Sequence, residues 1–315
     1  MKRIFIALLV LGLVAGFGCS QSPGSGKIRI AVVPKALTHQ FWLTVKAGAE
    51  AAGKELGAEV IWMGPDKETQ VDKQVDIIET MIVQGVDALV IAACDENALN
   101  GPIQRAVDAG IPVITMDSGV TSDIPLSFVA TDNIAGARAA ARELARLIGE
   151  QGEVGLIPFV YGAATSQMRE EGFKQGIQEF PNIQLVDIQY CESNEAKAMS
   201  VTQDMLTAHP GILGIFAANE SACIGAAQAL KTVGKAGQVK LVGFDAADEE
   251  VSALRDGTVQ ALIVQDPFKM GYVSVQTAMA AIKGDSVEKR IDTGVMVVTP
   301  ENVDTPEVQR LLNPL

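Results

Sequence analysis

Val242-Gly243-Phe244-Asp245, followed twenty residues on by Gln265-Asp266-Pro267, is the stretch from which the fold of this chain is read. A short β-rich run, Leu241–Phe244, ends with a ring and a carboxylate side by side, and a second run, Leu262–Val264, leads into Gln265. In an open α/β sheet, ligands bind at the carboxyl ends of the strands. A carboxylate there accepts hydroxyl donors, and a ring face covers apolar C–H surface. The same residues also describe a strand end with a capping Asp, so their weight comes from the rest of the chain.

Outward from this stretch, short apolar runs alternate with helical patterns along almost the whole sequence. Ile28–Val33, Val60–Met63, Ala88–Ala92, Val113–Met116, Val154–Pro158 and Ile215–Ala217 read as further strands. Phe41–Leu56, Val71–Gln84, Ala135–Ile148 and Val201–Ala208 carry apolar residues at helical spacing. Continuous apolar strands separated by helices imply a parallel sheet buried on both faces. Gly57 and Gly85 close helical patterns, and Pro102 and Pro267 sit near helix starts. A (β/α)8 barrel needs eight units. About ten strands, with a halfway break near Ala130-Thr131-Asp132-Asn133, favour two doubly wound lobes in tandem.

Lys2 and Arg3, an apolar run from Ile4 to Phe17, and Gly18-Cys19 read as a secretory signal. The apolar run is shorter than the roughly 20 residues that span a bilayer. A cysteine directly after Gly18 makes Cys19 the expected lipidation site, with plain cleavage as the alternative, and Gln21 to Gly26 then form a flexible tether. The remaining part, about 290 residues, exceeds one ordinary domain. A net charge of −13 argues against a nucleic-acid partner. Beyond Cys19 lie Cys94, Cys191 and Cys223, whose odd number and irregular spacing form neither a disulfide framework nor a metal site. Cys94 and Cys223 read as packed, inert thiols.

Catalytic signatures are missing: the chain has no G-x-S-x-G, H-E-x-x-H, C-x-x-C or phosphate-binding G-x-x-x-x-G-K-[ST]. His39 and His209 are the only histidines, and His209 follows a helical run as a helix C-terminal residue would. Asp95-Glu96-Asn97 lacks the length and glycine of a calcium loop. The expectation is a protein that is not an enzyme and needs no cofactor or metal.

A set of landmarks then stands in order: Gln40-Phe41-Trp42, Ile111–Asp117, Ala130–Asn133, Arg169–Phe173, Leu206–Pro210, Phe216–Glu220, Val242–Asp245 and Gln265. With these the chain resembles the periplasmic sugar-binding proteins of ABC importers, ribose-binding type, from Lys27 to about Leu312. The resemblance implies an α/β protein of two Rossmann-like, doubly wound parallel-sheet lobes joined by a three-strand hinge, the type I periplasmic binding protein plan. The expected organisation is a signal peptide over 1–18, a tether over 19–26, a first lobe from 27–131 and 266–293, and a second from 132–265 and 294–315. Crossings are expected near Thr131–Asp132, Gln265–Asp266 and Thr293–Gly294.

The resemblance also implies roles. Phe41 and Trp42 from the first lobe and Phe244 from the second would cover sugar ring faces. Asp117 and Asp245 would accept hydroxyl protons, and Arg169, Asn219 and Gln265 would donate to or orient hydroxyls. Phe41 could instead be helix core, and Trp42, its neighbour, cannot share its face, so one of the two should point at solvent or a cleft. Arg169 could pair with Glu170 or Glu171 at the surface, and Asn219 and Asp245 could be helix caps. The chain departs from the ribose binders at Lys35, His39 and Ser118, which join the candidate ligand contacts, and at Ala92, where a side-chain amide would stand. Ser193 replaces an expected second-lobe aromatic, with Tyr190 nearby. Pro34-Lys35 and Asp117-Ser118 are also similar to the autoinducer-2 receptor branch. The expected protein is a periplasmic or cell-surface monomer, anchored through Cys19, that binds a monosaccharide or polyol and serves ABC permease subunits. A non-sugar solute, or a sensor role feeding chemotaxis or a histidine kinase, is the alternative.

Overall fold

Strand β1 (Arg29–Val33) starts the first of two six-stranded sheets in the computed structural model, which describes residues 26–314. The signal segment and Cys19 lie outside the described residues. The first sheet adds β2 (Glu59–Trp62), β3 (Ala88–Ile91), β4 (Val113–Met116), β5 (Ser127–Ala130) and β11 (Arg290–Asp292), in the order β11-β5-β4-β3-β1-β2. Every pairing in it is parallel. The second sheet holds β6 (Gly152–Ile157), β7 (Ile183–Ile188), β8 (Ile212–Ala217), β9 (Lys240–Phe244), β10 (Ala261–Gln265) and β12 (Val295–Val298). Its order is β12-β10-β9-β8-β6-β7, and only β12 runs antiparallel to its neighbour. Two sheets, each flanked by helices, rule out the barrel.

Parallel strands need helical crossovers, and these cover both faces of the first sheet. Helices α1 (Gln40–Leu56) and α9 (Pro267–Ile282) bury Trp42, Val45, Met270 and Val275 on one face. On the other face α2 (Val71–Val83) and α3 (Asn100–Asp108) bury Ile78, Met81, Leu99 and Ile103. Helices α4 (Asn133–Ile148), α5 (Ala164–Ile177), α6 (Glu195–Ala208), α7 (Glu220–Thr232), α8 (Asp248–Arg255) and the terminal α10 (Pro306–Leu312) enclose the core of the second sheet.

The α1–α9 crossing is close enough to need glycine. A Cβ on Gly48 would stand 2.0 Å from Phe268 O, and one on Gly271 would stand 2.0 Å from Val45 O. Helix starts are set by short polar side chains: Asp132, Asn194, Asn219 and Asp266 each accept an N–H from their own first turn.

The chain passes between sheets after β5, after β10 and between β11 and β12. These passages are tied together: Arg290 donates to Ala130 O and Thr131 O, both at 2.9 Å, and Thr131 Oγ1 lies 3.4 Å from Thr293 Oγ1. β5, β7, β11 and β12 are not among the strands expected from the sequence. β11 is a three-residue strand, RID, with two charges, and β7 is an edge strand interrupted by Gln184 and Asp187, so neither carries a long apolar run.

Candidate functional site

The carboxyl ends of the two sheets face one another, and a small cavity lies between them. The first lobe lines it with Lys35 after β1, His39, Phe41 and Trp42 at the start of α1, Glu68 before α2, and Asp117 just past β4. The second lobe brings Phe159 after β6, Arg169 from α5, Asn219 and Glu220 at the start of α7, Asp245 just past β9, and Gln265 at the end of β10. Nine of the eleven expected contacts therefore meet in one place.

Lys35 is the centre of the first-lobe half. Its side chain is 3 % exposed, and its ammonium lies 3.0 Å from Asp117 Oδ2 and 4.0 Å from Glu68 Oε2 and donates across the cleft to Thr165 Oγ1 at 3.1 Å. Burial pulls its pKa down, but Asp117 and Glu68 more than offset this and leave the ammonium above its ordinary value. Burial likewise pushes the Glu68 carboxyl up; Lys35 and His39, with hydrogen bonds from Ser193 and Trp42, outweigh it and hold the carboxyl below its ordinary range. Trp42 Nε1 donates to Glu68 Oε1 at 3.1 Å, and Ser193 Oγ of the second lobe donates to Glu68 Oε2 at 2.8 Å.

In the second lobe, Arg169 is fully enclosed. It donates from Nε to Asn133 Oδ1 at 2.8 Å and from Nη1 to Ala218 O at 2.7 Å, with Asp245 Oδ2 at 3.9 Å. Burial lowers its pKa despite the carboxylates around it. Gln265 Nε2 donates to Asp245 Oδ1 at 2.7 Å, and the Glu220 N–H donates to Oδ2 at 3.1 Å. Burial still raises the Asp245 carboxyl above its ordinary value, and Glu220 is raised for the same reason. The Gln265 Oε1 atom is buried without a hydrogen-bond partner.

Phe41 and Trp42 meet edge-to-face with centroids 4.9 Å apart, and both border the cavity. The first turn of α1 projects into the cleft, so adjacent positions reach it, and Trp42 also belongs to the lobe core. His39 Nε2 lies 3.2 Å from Ser221 Oγ in the opposite lobe. Asn219 caps α7, as the alternative had it, and also donates to Ser193 Oγ at 3.1 Å while bordering the cavity.

Two expected contacts fall elsewhere. Phe244 is fully buried in the second-lobe core, against Phe216 and beneath Arg169, whose guanidinium carbon stands 3.6 Å from its ring centroid. Its ring packs against Gly136 of α4 and does not border the cavity, so it supports the arginine and leaves ring coverage to Phe159. Ser118 is fully buried and does not line the cavity; its N–H returns to Met116 O and its carbonyl accepts from Ala93. Tyr190 does not replace the aromatic absent at Ser193, since its hydroxyl donates to Glu170 and its ring packs on Tyr161.

Three cavity residues escaped the sequence reading. Phe159 follows a strand in Ile157-Pro158-Phe159, and the same strand-end logic that singled out Phe244 would have found it. Glu220 belongs to the Phe216–Glu220 segment, in which the family resemblance points to Asn219 alone. Glu68 lies in Asp66-Lys67-Glu68, which reads as any solvated charged loop.

Four carboxyl groups and two permanent cations converge on one small cavity with three aromatic rings. That balance disfavours an anionic ligand and suits a neutral, hydroxyl-rich one, with polar groups around its edge and rings against its C–H faces. Among the described residues no cluster of His, Cys, Asp or Glu is placed to hold a metal ion, and no helix is long and apolar enough to cross a membrane. Cys94, Cys191 and Cys223 are buried and unpaired, and burial raises all three thiols, Cys191 to about 11.

The family model for the periplasmic binding protein domain matches residues 30–286. The chain is 36% identical to the D-ribose/D-allose-binding protein of Pseudomonas aeruginosa, over 97% of this chain and 100% of that one. It is 30% identical to the ribose import binding protein of Escherichia coli, over 96% and 99% of the two chains. A carbohydrate transporter solute-binding protein of Agrobacterium radiobacter, solved in complex with D-arabinose, superposes with a TM-score of 0.89 at 34% identity, over 92% of this chain and 100% of that one.

Proposed function

The chain belongs to the periplasmic binding protein domain family, and from that premise we propose that it captures a monosaccharide or polyol between two closing lobes and delivers it to an ABC importer. The observation that carries this reading is the cavity itself. Asp117 and Asp245 come from opposite lobes, Arg169 and Lys35 stand beside them, and Phe41, Trp42 and Phe159 supply rings. Such a ligand touches both lobes only when they are together, so its binding shifts an open–closed equilibrium. Micromolar affinity, about −8 kcal/mol, is the expected scale. The relatives' ligands, ribose, allose and arabinose, support a neutral pentose or hexose here.

The proposed contacts are Lys35, His39, Phe41, Trp42, Asp117, Arg169, Asn219, Asp245 and Gln265, together with Glu68 and Phe159. The proposed lobes are 27–131 with 266–293, and 132–265 with 294–315, acting as a monomer. The family is one of receptors, so the bound solute should be recovered unchanged. The N-terminal pattern supports export with a signal over 1–18 and a lipid anchor on Cys19. Cys19→Ser should move the protein from the membrane fraction to the soluble periplasmic or extracellular fraction.

The deciding experiment is a thermal-shift screen of residues 27–315 against pentoses, hexoses, polyols and inositols, with calorimetry on any hit. Autoinducer-2 belongs in the panel because Lys35 lines the cavity. Ligand at 100 times its Kd adds about 2.7 kcal/mol, a readable rise in Tm. A hit among sugars or polyols names the cargo; a panel without any hit removes the sugar reading.

A further inference from the structure

The lobes also meet at a place where both partners are helix starts. His39, at the N-cap of α1, is extended and makes no side-chain cap bond. Glu220 of the second lobe supplies the cap instead: Gln40 N donates to its Oε1 at 3.0 Å and Phe41 N donates to its Oε2 at 2.9 Å. The exchange is reciprocal. Gln40 Oε1 accepts the N–H of Asp248, the first residue of α8, at 3.0 Å, and Gln40 Nε2 donates to Asp248 Oδ1 at 3.2 Å.

First-turn N–H groups have no partner within their own helix and form its positive end. A carboxylate brought to them from the other lobe makes charge-assisted bonds that exist only when the lobes are together. Gln40 and Asp248 are not among the residues lining the ligand cavity, Gln40 bordering instead an adjoining pocket with Phe41, Glu220, Asp245 and Gln265, and both Glu220 oxygens are already taken by backbone donors. The same Glu220 gives its own N–H to Asp245, so the contact is continuous with the cavity wall.

We propose that Gln40, Glu220 and Asp248 form an interlobe clasp that sets the closed fraction of the protein, and that Gln40 and Asp248 thereby scale affinity for every ligand by a common factor without touching it. They are positioning residues. The apparent Kd is the intrinsic one divided by the competent fraction, so a loss of closed population weakens all ligands alike. The affinity half of this inference rests on the receptor reading above; the closure half does not.

The test uses Gln40→Ala, Asp248→Ala and the double variant. In residues 27–315, spin labels go on Val83→Cys in the first lobe and Val233→Cys in the second, both exposed, while Cys94, Cys191 and Cys223 are buried. Without ligand, the short-distance population should fall in each single variant, less in Asp248→Ala, which keeps its N–H for Gln40 Oε1, and the double should match Gln40→Ala. Calorimetry should show Kd rising by roughly two- to tenfold, equally for every sugar the parent binds, which is the scale of one or two net hydrogen bonds. The Tm of the ligand-free variants should stay with the parent, which a merely structural role would not allow. An unchanged distance distribution overturns the clasp, and so does a Kd change that differs between sugars, since that would put Gln40 in contact with ligand. If the parent binds no sugar at all, the receptor reading falls while the distance distribution still decides the clasp.

Discussion

Asp117 and Asp245 occupy the same position in the two lobes. Each is the first residue past its strand, β4 or β9, and those strands hold matching places in two sheets whose orders correspond strand for strand. Each N–H donates at 2.9 Å to the neighbouring strand, Asp117 to Val129 O and Asp245 to Ile263 O. Each also has positive φ, 56° and 87°. Aspartate tolerates that region better than most residues, and backbone strain of this kind concentrates at ligand sites. Their surroundings differ: Asp117 faces the Lys35 ammonium, and Asp245 is held by an amide and a backbone N–H.

Asp117→Asn and Asp245→Asn should each weaken binding of the identified ligand by about tenfold or more, the scale of a charged hydrogen bond. Asn keeps the tolerance for positive φ, so folding should survive. Calorimetry is the check, and unchanged affinity in both would remove the aspartates from the site.

Phe159 and Phe244, both buried in the second lobe, should differ in their effect on ligand ranking. Phe159→Leu should lower affinity and change the ranking of ligands, because its ring borders the cavity. Phe244→Leu should lower Tm while leaving that ranking intact, because its ring is buried under Arg169. Paired melting and calorimetry on both variants would reveal a reversed pattern at once.

Arg169→Met should destabilise the protein as well as weaken binding. It leaves Asn133 Oδ1 and Ala218 O without their donor, and one unmet buried acceptor costs about 1–3 kcal/mol. Urea unfolding of the ligand-free variant should show a lowered midpoint; an unaltered midpoint would mean that water replaces the guanidinium.

The sequence exposed the fold because parallel strands buried on both faces are written as unbroken apolar runs, and β1, β3, β4 and β9 all read that way. Asp245 and Gln265 are legible as cavity-lining candidates because ligands bind at strand ends in such sheets, whereas Asp117 is pointed to by the family resemblance. The sequence could not place Phe244, since the face a terminal strand residue takes depends on helix packing above it, here Gly136 of α4 against the ring. Nor could it find Glu68, whose role comes from Trp42, Lys35 and Ser193, the last 125 residues away in sequence.

Gly271→Ala should cost about 1–3 kcal/mol by overpacking, since the added methyl would meet the Val45 carbonyl in a backbone contact that no rotamer change relieves. Thermal unfolding is the measure. An alanine accepted without loss would show that α1 and α9 can slide apart.

Glu250→Gln should stabilise the protein at neutral pH. Glu250 is 1 % exposed, accepts the Ala247 N–H on Oε2 at 2.7 Å, and leaves Oε1 buried without a partner. Burial, with Asp245 and Glu220 nearby, pushes its carboxyl well above the ordinary 4.5, and the Ala247 hydrogen bond and the neighbouring Cys223 thiol only partly offset this. A raised carboxyl means that the folded state binds the proton more tightly than the unfolded chain does. Stability from this group is therefore fully present below 4.5 and is lost as pH rises toward the folded-state pKa. Glutamine keeps a carbonyl for Ala247 and carries no charge, so it should raise Tm near pH 7 and flatten the fall in Tm above pH 4.5. Melting curves of both proteins from pH 4 to pH 8 decide it: parallel profiles would mean that the Glu250 carboxylate is already solvated or paired in solution.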